Sequence, residues 1–457
     1  MKRILTAVLL IAVLALVAGL AACGNGNGGN DAPPAQDPPA QEATPAPQDE
    51  APQDEAPQDE TPAPGNHSQG VTDTTIYVGN TAAVSGPFAG VGIPFNDGMM
   101  AYFDRVNNAG GVNGRRIEFV HHDDNFDAIT GLAFTEALIH DDNVFAIVGH
   151  FGTPTVGATL DMLKDIGIPV VYFASGISAL YNEEAFTVAQ GQNLFPVQPI
   201  FTMEGRVLIA RAVEEYNASR IGVIFTSDEA GFDFIDGINN QVARLGGIEL
   251  VTEQIAPLQP DVSSAVLRMV AEDVDVVIVG TLQGTLPIVI NTMVAQGLDV
   301  PVITSYISAD ASTLEGFATD YIGAGATFPI YATGWLNLFT EDGGFSDEFV
   351  DFGAGMTEFG SEEFAGNAFA IAGWVAGSVF VQGLRAIEGN DITWDAYIAA
   401  MESVLINLPM GGVMDFSGGQ RTGTQAMLMN RANMELGEWE TIRPIETLDE
   451  IMRRLGH

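Results

Sequence analysis

The sequence predicts an α/β protein of two doubly wound lobes, and three observations predict it. From Val71 onward short β-branched runs alternate with longer amphipathic stretches, the pattern of parallel strands joined by crossover helices. The chain has 457 residues, and a single core stops growing near about 250–300 residues, so its length calls for two. Between the halves of this rhythm, Phe195-Pro196-Val197-Gln198-Pro199 sets two prolines in the path, and a fresh series begins at Glu204.

Strands are expected at 75–79, 117–121, 145–148 and 169–173 before the proline break, and at 221–225, 247–252, 274–279 and 300–304 after it. Helices fall between them. Met99, Met100, Phe103 and Val106 are assigned to one apolar face after Pro94, and Leu208, Ile209, Ala212 and Val213 to another. In open α/β sheets ligands bind beyond the carboxyl ends of the strands, so two such lobes facing each other make a cleft.

The N-terminus has its own logic. Lys2 and Arg3 precede an uncharged apolar run from Ile4 to Val17, which is an export signal. The run gives way to Gly19-Leu20-Ala21-Ala22-Cys23 and then to glycine and asparagine, short of the ~20 apolar residues a spanning helix needs. Leu20-Ala21-Ala22-Cys23 resembles the bacterial lipobox, which implies removal of residues 1–22 and acylation of Cys23, the single cysteine of the chain. Residues 23–70, rich in Pro, Ala, Gln, Asp and Glu, form a disordered tether with no core to bury. The net charge of −42 makes nucleic acid a poor partner.

Four segments carry a family resemblance. Ser85-Gly86-Pro87 follows the first strand, and Asn107-Asn108-Ala109-Gly110-Gly111-Val112-Asn113-Gly114 closes the first helix. Asp123-Asp124-Asn125-Phe126-Asp127 follows the second strand, and Val148-Gly149-His150 ends the third before Gly152-Thr153-Pro154-Thr155. In this order and spacing the stretch from Ile76 to about Asn182 resembles the leucine/isoleucine/valine-binding proteins and the wider type I periplasmic-binding-protein family. The resemblance implies two Rossmann-like lobes joined by three crossings, near 194–199, 326–332 and 413–418. One lobe would hold 71–198 plus 332–413, the other 199–331 plus 414–457. It also implies a substrate-binding lipoprotein on the extracytoplasmic face of the cell membrane. There it would capture an amino acid or other carboxylate by hinge closure and deliver it to ABC permease and ATPase subunits, without a cofactor.

Thr153 and Thr155 stand between a strand and a helix, where backbone N–H groups favour an anion. In the family the hydroxyl residue matching Thr153 holds the ligand's carboxylate. Ser175, Gly176 and Ser178 form the second expected contact loop, with Gly176 where amino-acid binders usually carry threonine. Tyr306 falls where the family places the acid that pairs with an α-ammonium, and Val91 replaces the first-loop aromatic. Phe88 is a further candidate for the pocket wall. Asp228, Glu229 or Asp310 would have to substitute for the missing acid, although loop carboxylates in so acidic a chain are more often surface charge. Trp335 and Trp374 are assigned to packing. His121 and His122 lie next to each other on a strand and so point to opposite faces, which argues against a shared metal; Asp124 or Asp127 would cap the next helix.

An enzyme on a similar scaffold is the competing class. Gly79-Asn80-Thr81-Ala82-Ala83 is not a dinucleotide loop, and no Walker loop, Gly-x-Ser-x-Gly or His-Glu-x-x-His is present. A receptor that signals to a membrane partner is the remaining alternative.

Overall fold

Runs such as Ala146 to Phe151 are mostly apolar and buried along their whole length, covered on both faces as central parallel strands. The computed structural model describes residues 66–181, 191–340 and 344–457. The expected signal, Cys23 and most of the expected tether lie outside them. Residues 66–70, placed in the tether by composition, dock on the fold. The Asn66 and Ser68 amides donate to Asp391 Oδ1 and Ile392 O, and the Gln69 side chain donates to the carbonyls of Ile139 and Val144.

The first half runs β1 (Thr75–Ala82), α1 (Ala89–Asn108), β2 (Arg116–Asp123), α2 (Ala128–His140), β3 (Ala146–Phe151), α3 (Thr153–Ile166), β4 (Val170–Ala174) and β5 (Leu194–Phe195). These strands form a parallel sheet ordered β2-β1-β3-β4-β5. Met99, Phe103 and Val106 are buried on α1 as expected, whereas Met100 is 39% exposed. The reason is angular: Met99, Phe103 and Val106 follow i, i+4, i+7, and Met100 lies one residue further round.

After the proline break come α4 (Phe201–Tyr216), β6 (Arg220–Thr226), α5 (Glu229–Leu245), β7 (Glu249–Ile255), α6 (Ser263–Ala271), β8 (Val276–Gly280), α7 (Leu286–Gln296), β9 (Val302–Thr304), α8 (Ala311–Glu315), α9 (Ala318–Gly323) and β10 (Ile330–Gly334). The chain then returns to the first lobe with α10 (Asp347–Phe359), α11 (Ala368–Ala386), α12 (Trp394–Ser403) and the hairpin β11 (Leu405–Leu408) and β12 (Gly412–Asp415). It ends in the second lobe with β13 (Ala426–Asn433), β14 (Glu438–Thr447) and α13 (Leu448–Arg454). The second sheet is ordered β14-β13-β10-β9-β8-β6-β7, antiparallel only where β13 meets β10 and β14. Helix α11 is long and apolar enough to cross a membrane, but 72% of its apolar window is buried. It packs on α1 as a core helix, at a distance only glycine permits: a Cβ on Gly373 would lie 1.8 Å from Phe95 O, and one on Gly98 would lie 2.0 Å from Ala370 O.

The lobes are tied where the chain crosses. Thr424 donates to Val197 O from both its amide and its hydroxyl, at 2.8 Å each, which lays the last crossing beside the first. Just before it, the Arg421 side chain is wholly buried. Its guanidinium donates to Leu194 O (2.7 Å), Gln420 O (2.8 Å), Gln192 O and Glu402 Oε1 (2.7 Å), and it lies 4.4 Å from the Phe195 ring centroid.

A second buried charge shapes the cleft wall. Among the described residues no cation pairs with Glu204 on α4; its carboxylate accepts from Ser305 Oγ (2.9 Å), Tyr306 N (2.9 Å) and Thr333 Oγ1. It thereby joins the segment after β9 to strand β10. Burial pushes its carboxyl up to about 7, against the pull of those three donors.

Two predictions follow from these charges. Arg421→Met leaves four acceptors facing an apolar side chain and should lower unfolding free energy by about 3–5 kcal/mol in urea titrations. For Glu204 the folded pKa is raised, so its contribution is whole below the ordinary value near 4.5 and is lost as pH rises through about 7. Between pH 5 and 8 the wild type should therefore lose up to about 3 kcal/mol that Glu204→Gln does not lose, as read by urea unfolding at both pH values.

Candidate functional site

The carboxyl ends of both sheets face one cavity, whose empty space, counted out to open solvent, is about 1000 Å³. On the first-lobe side its wall is built from the segments after β1 to β4, with Phe88, Val91, Phe126, Thr153 and Ser175. The second lobe adds Phe201, Leu282, Gln283 and Tyr306, and the crossings add Gln198, Trp335 and Leu336. The amino end of α11 closes the ring with Ala368 and Phe369. Nine of the lining side chains are aromatic, and among the described residues none that lines the cavity is ionisable as an acid or a cation near neutral pH. Such a wall suits an apolar body with few polar attachment points.

The polar pole lies at the start of α3. Gly152 precedes the helix at φ 90°, no described side chain caps it, and Pro154 has no N–H to offer, so Thr153 is the residue by which this helix start meets the cavity. Thr153 and Ser175 share a hydrogen bond of 3.0 Å between their hydroxyls, and both are nearly buried at the cavity wall. Beside them Tyr172 donates to Gln198 Oε1 at 3.3 Å.

Tyr172 reaches this wall through a break in the sheet. Strands β3 and β4 pair Val148 with Val171 and His150 with Phe173, skipping Gly149 and Tyr172, and these two adopt φ 71° and φ 63°. A tyrosine in the left-handed region is a local cost, and here that backbone turn re-aims the side chain at the strand end while the register on either side stays in step. Val171 and Tyr172 consequently point into the same core instead of alternating.

The remaining candidates are distributed as follows. Phe88 stacks on Phe126 with centroids 3.8 Å apart, and Tyr306 presents its ring to the cavity while its hydroxyl donates to Pro199 O at 3.3 Å. Burial raises the Tyr306 phenol well above its ordinary range, so it is neutral. Thr155 points away from the cavity and donates to Asp124 Oδ2 at 2.7 Å. Gly176 does not line the cavity either: a Cβ there would lie 2.7 Å from both the Phe201 ring and Pro199 O, which leaves no room for a threonine. Ser178 donates from its amide and hydroxyl to the Asp233 carboxylate, at 2.6 and 2.8 Å.

None of the three acids considered as ammonium partners lines the cavity. Asp228 caps α5, Glu229 is exposed, and Asp310 caps α8 while its other oxygen accepts from Ala368 N. Asp127 caps α2, whereas Asp124 serves Thr155 and Phe126 N. His121 bonds Asn80 and Asn96, and His122 bonds Asp142. Trp374 is core, edge-on to Tyr102 and Phe352, but Trp335 is a cavity residue as well as a packing one. Sequence reasoning missed it, together with Gln198, Gln283 and Asn430; only the position of Trp335 and Gln198 in the crossings could have signalled them.

Comparison with known proteins agrees with this architecture. The family model described as periplasmic binding protein matches residues 75–435. An amino acid binding protein of Pseudomonas aeruginosa is 25% identical over 263 residues, which covers 57% of this chain and 66% of that protein, just under two thirds of its length. Among solved structures, a branched chain amino acid ABC transporter protein of Thermus thermophilus with bound valine matches with a TM-score of 0.71 at 14% identity, over 84% of this chain and 99% of its own. A fatty acid ABC transporter substrate-binding protein of Thermomonospora curvata matches with a TM-score of 0.70 at 16% identity, over 84% and 96%. The chain belongs to the periplasmic binding protein family, in its type I, leucine/isoleucine/valine-binding-protein-like form.

Proposed function

We propose that this chain is the substrate-binding component of an ABC importer of the branched-chain amino acid and amide type. It works outside the cytoplasm, is held at the membrane through acylated Cys23, and hands its solute to permease and ATPase subunits. It performs no catalysis. The first lobe, with residues 71–198 and the α10 to α12 return, and the second lobe close on the solute by hinge motion, as the fold allows.

The observation that carries this reading is the aromatic, uncharged cavity with hydroxyls and an uncapped helix start at one end. That pole suits one carboxylate or a comparable acceptor. The rest of the lining includes Leu282, Gln283 and Trp335, and Tyr306 stands where the family resemblance places the acid that pairs an α-ammonium. An ammonium buried without an anionic partner is costly, so the favoured solute is an apolar or aromatic monocarboxylate without an amine. Likeness of fold does not choose the ligand, since the two structural neighbours are described with valine and with fatty acid at equal similarity. The lining does.

Calorimetry with leucine, phenylalanine and their des-amino acids tests this. The des-amino acids should bind at least as well as the amino acids, and Thr153→Ala should weaken them by about 1.5–3 kcal/mol, as for a hydrogen bond to a charged acceptor. Tight binding of an amino acid with failure of its des-amino analogue would overturn the ligand class.

The anchor is tested separately. Cys23→Ser should move the protein from the membrane fraction to the soluble exported or unprocessed pool, because acyl chains supply nearly all of the membrane affinity. A cleaved mutant that still fractionates with membranes would contradict the lipoprotein assignment.

A further inference from the structure

We infer that Asp310 is a cross-cleft latch: its carboxylate, carried by the second lobe, closes the cavity rim by accepting the first amide of α11 in the first lobe. The inference rests on the two-lobe binding reading above and adds the group that holds the lobes shut.

A helix begins with amides that have no partner inside it. Here the Asn367 side chain accepts from Phe369 N and Ala370 N at 2.9 and 3.1 Å, and the Asn367 carbonyl accepts from Ile371 N. Ala368 N is left, and it donates to Asp310 Oδ2 at 3.0 Å. Three of the four amides are thus served from within the first lobe and one from across the cleft.

Asp310 is held ready for that role. Its Oδ1 accepts from the Ser312 amide at 2.9 Å and the Ser312 hydroxyl at 2.6 Å, and its backbone carbonyl accepts from Trp439 Nε1 at 3.1 Å. All of these partners belong to the second lobe, so one oxygen fixes the loop and the other is free to reach over. The residue is only 4% exposed. Its neighbour Ala309 and its partner Ala368 both line the cavity, which sets the bond on the rim beside any bound solute. A carboxylate at a helix N-terminus makes a charge-assisted bond that the helix dipole reinforces, whereas separated lobes return both groups to water. The bond therefore weights the closed state and slows release.

The test measures opening directly and needs no known ligand. In the full chain carrying Cys23→Ser, spin labels at Ile129→Cys and Glu315→Cys, both on exposed positions of opposite lobes, report the interlobe distance. Ala368→Pro deletes the donor, because proline is well tolerated at the first helical position and Asn367 already has the extended backbone that a following proline requires (φ −81°, ψ 128°). Asp310→Ala deletes the acceptor, and agreement between the two variants separates the latch from the lost cap of α8. Each should lower the closed-to-open ratio about tenfold, which corresponds to ~1.4 kcal/mol, and the double variant should fall no further. Two distances in the parent that Ala368→Pro leaves unchanged, or effects that add in the double variant, overturn the latch alone. One unchanging distance in all four proteins overturns the hinge reading and the latch with it.

Discussion

The buried guanidinium of Arg421 is the constraint on which the two-lobed architecture depends. A cleft has a defined shape only if its walls are referred to a common frame, and that frame is the narrow band where the chain passes between lobes. Arg421 takes carbonyls from the end of the first sheet, a carboxylate from α12 and the faces of Phe195 and Phe416 into one site. A planar fork of five donors can satisfy such a divergent set, which a lysine could not. Three residues on, Thr424 doubles its bond to Val197, so the last crossing is fixed against the first where Gln198 enters the cavity wall.

The cavity that this frame supports is chemically opposite to the chain that encloses it. The protein carries a net charge of −42, yet its cleft presents aromatic rings, hydroxyls and amides. At physiological salt charges are screened beyond about 8–10 Å, so the anionic solute proposed for the cleft would be governed by the helix terminus and hydroxyls beside it and not by the distant surface. The positive φ at Tyr172 belongs to the same economy of space: strain in one residue turns a strand side chain into a wall of the site.

With so few cations available, the acidic side chains find their partners in backbone amides. Asp127, Asp228 and Asp310 cap helices, Asp275 accepts from Ser219 N and Arg220 N, and Glu204 receives Tyr306 N. The wholly buried arginine side chains sit instead against carboxylates, Arg211 between Glu214 of α4 and Glu446 of β14, and Arg421 beside Glu402 of α12. The arrangement makes carboxylates serve as connectors inside a lobe and, at Asp310, between lobes.

The sequence by itself determined the α/β class, the two lobes and the placement of Thr153 at a helix start, because these follow from local periodicity and from the turn chemistry of short segments. The strand runs around Ile147, Val223 and Ile278 are legible for that reason: each is apolar over its full length and flanked by turn residues. Only the tertiary structure decided which side chains meet. It brings Trp335 and Gln198 from the crossings to the cavity, excludes Thr155 and Ser178 by giving them to Asp124 and Asp233, and removes any side chain at Gly176 by the approach of Phe201. It also pairs Asp310 with an amide 58 positions away in the chain. A binding wall drawn from two sheets and two of the crossings is a set of long-range contacts, and no local period in the chain encodes those.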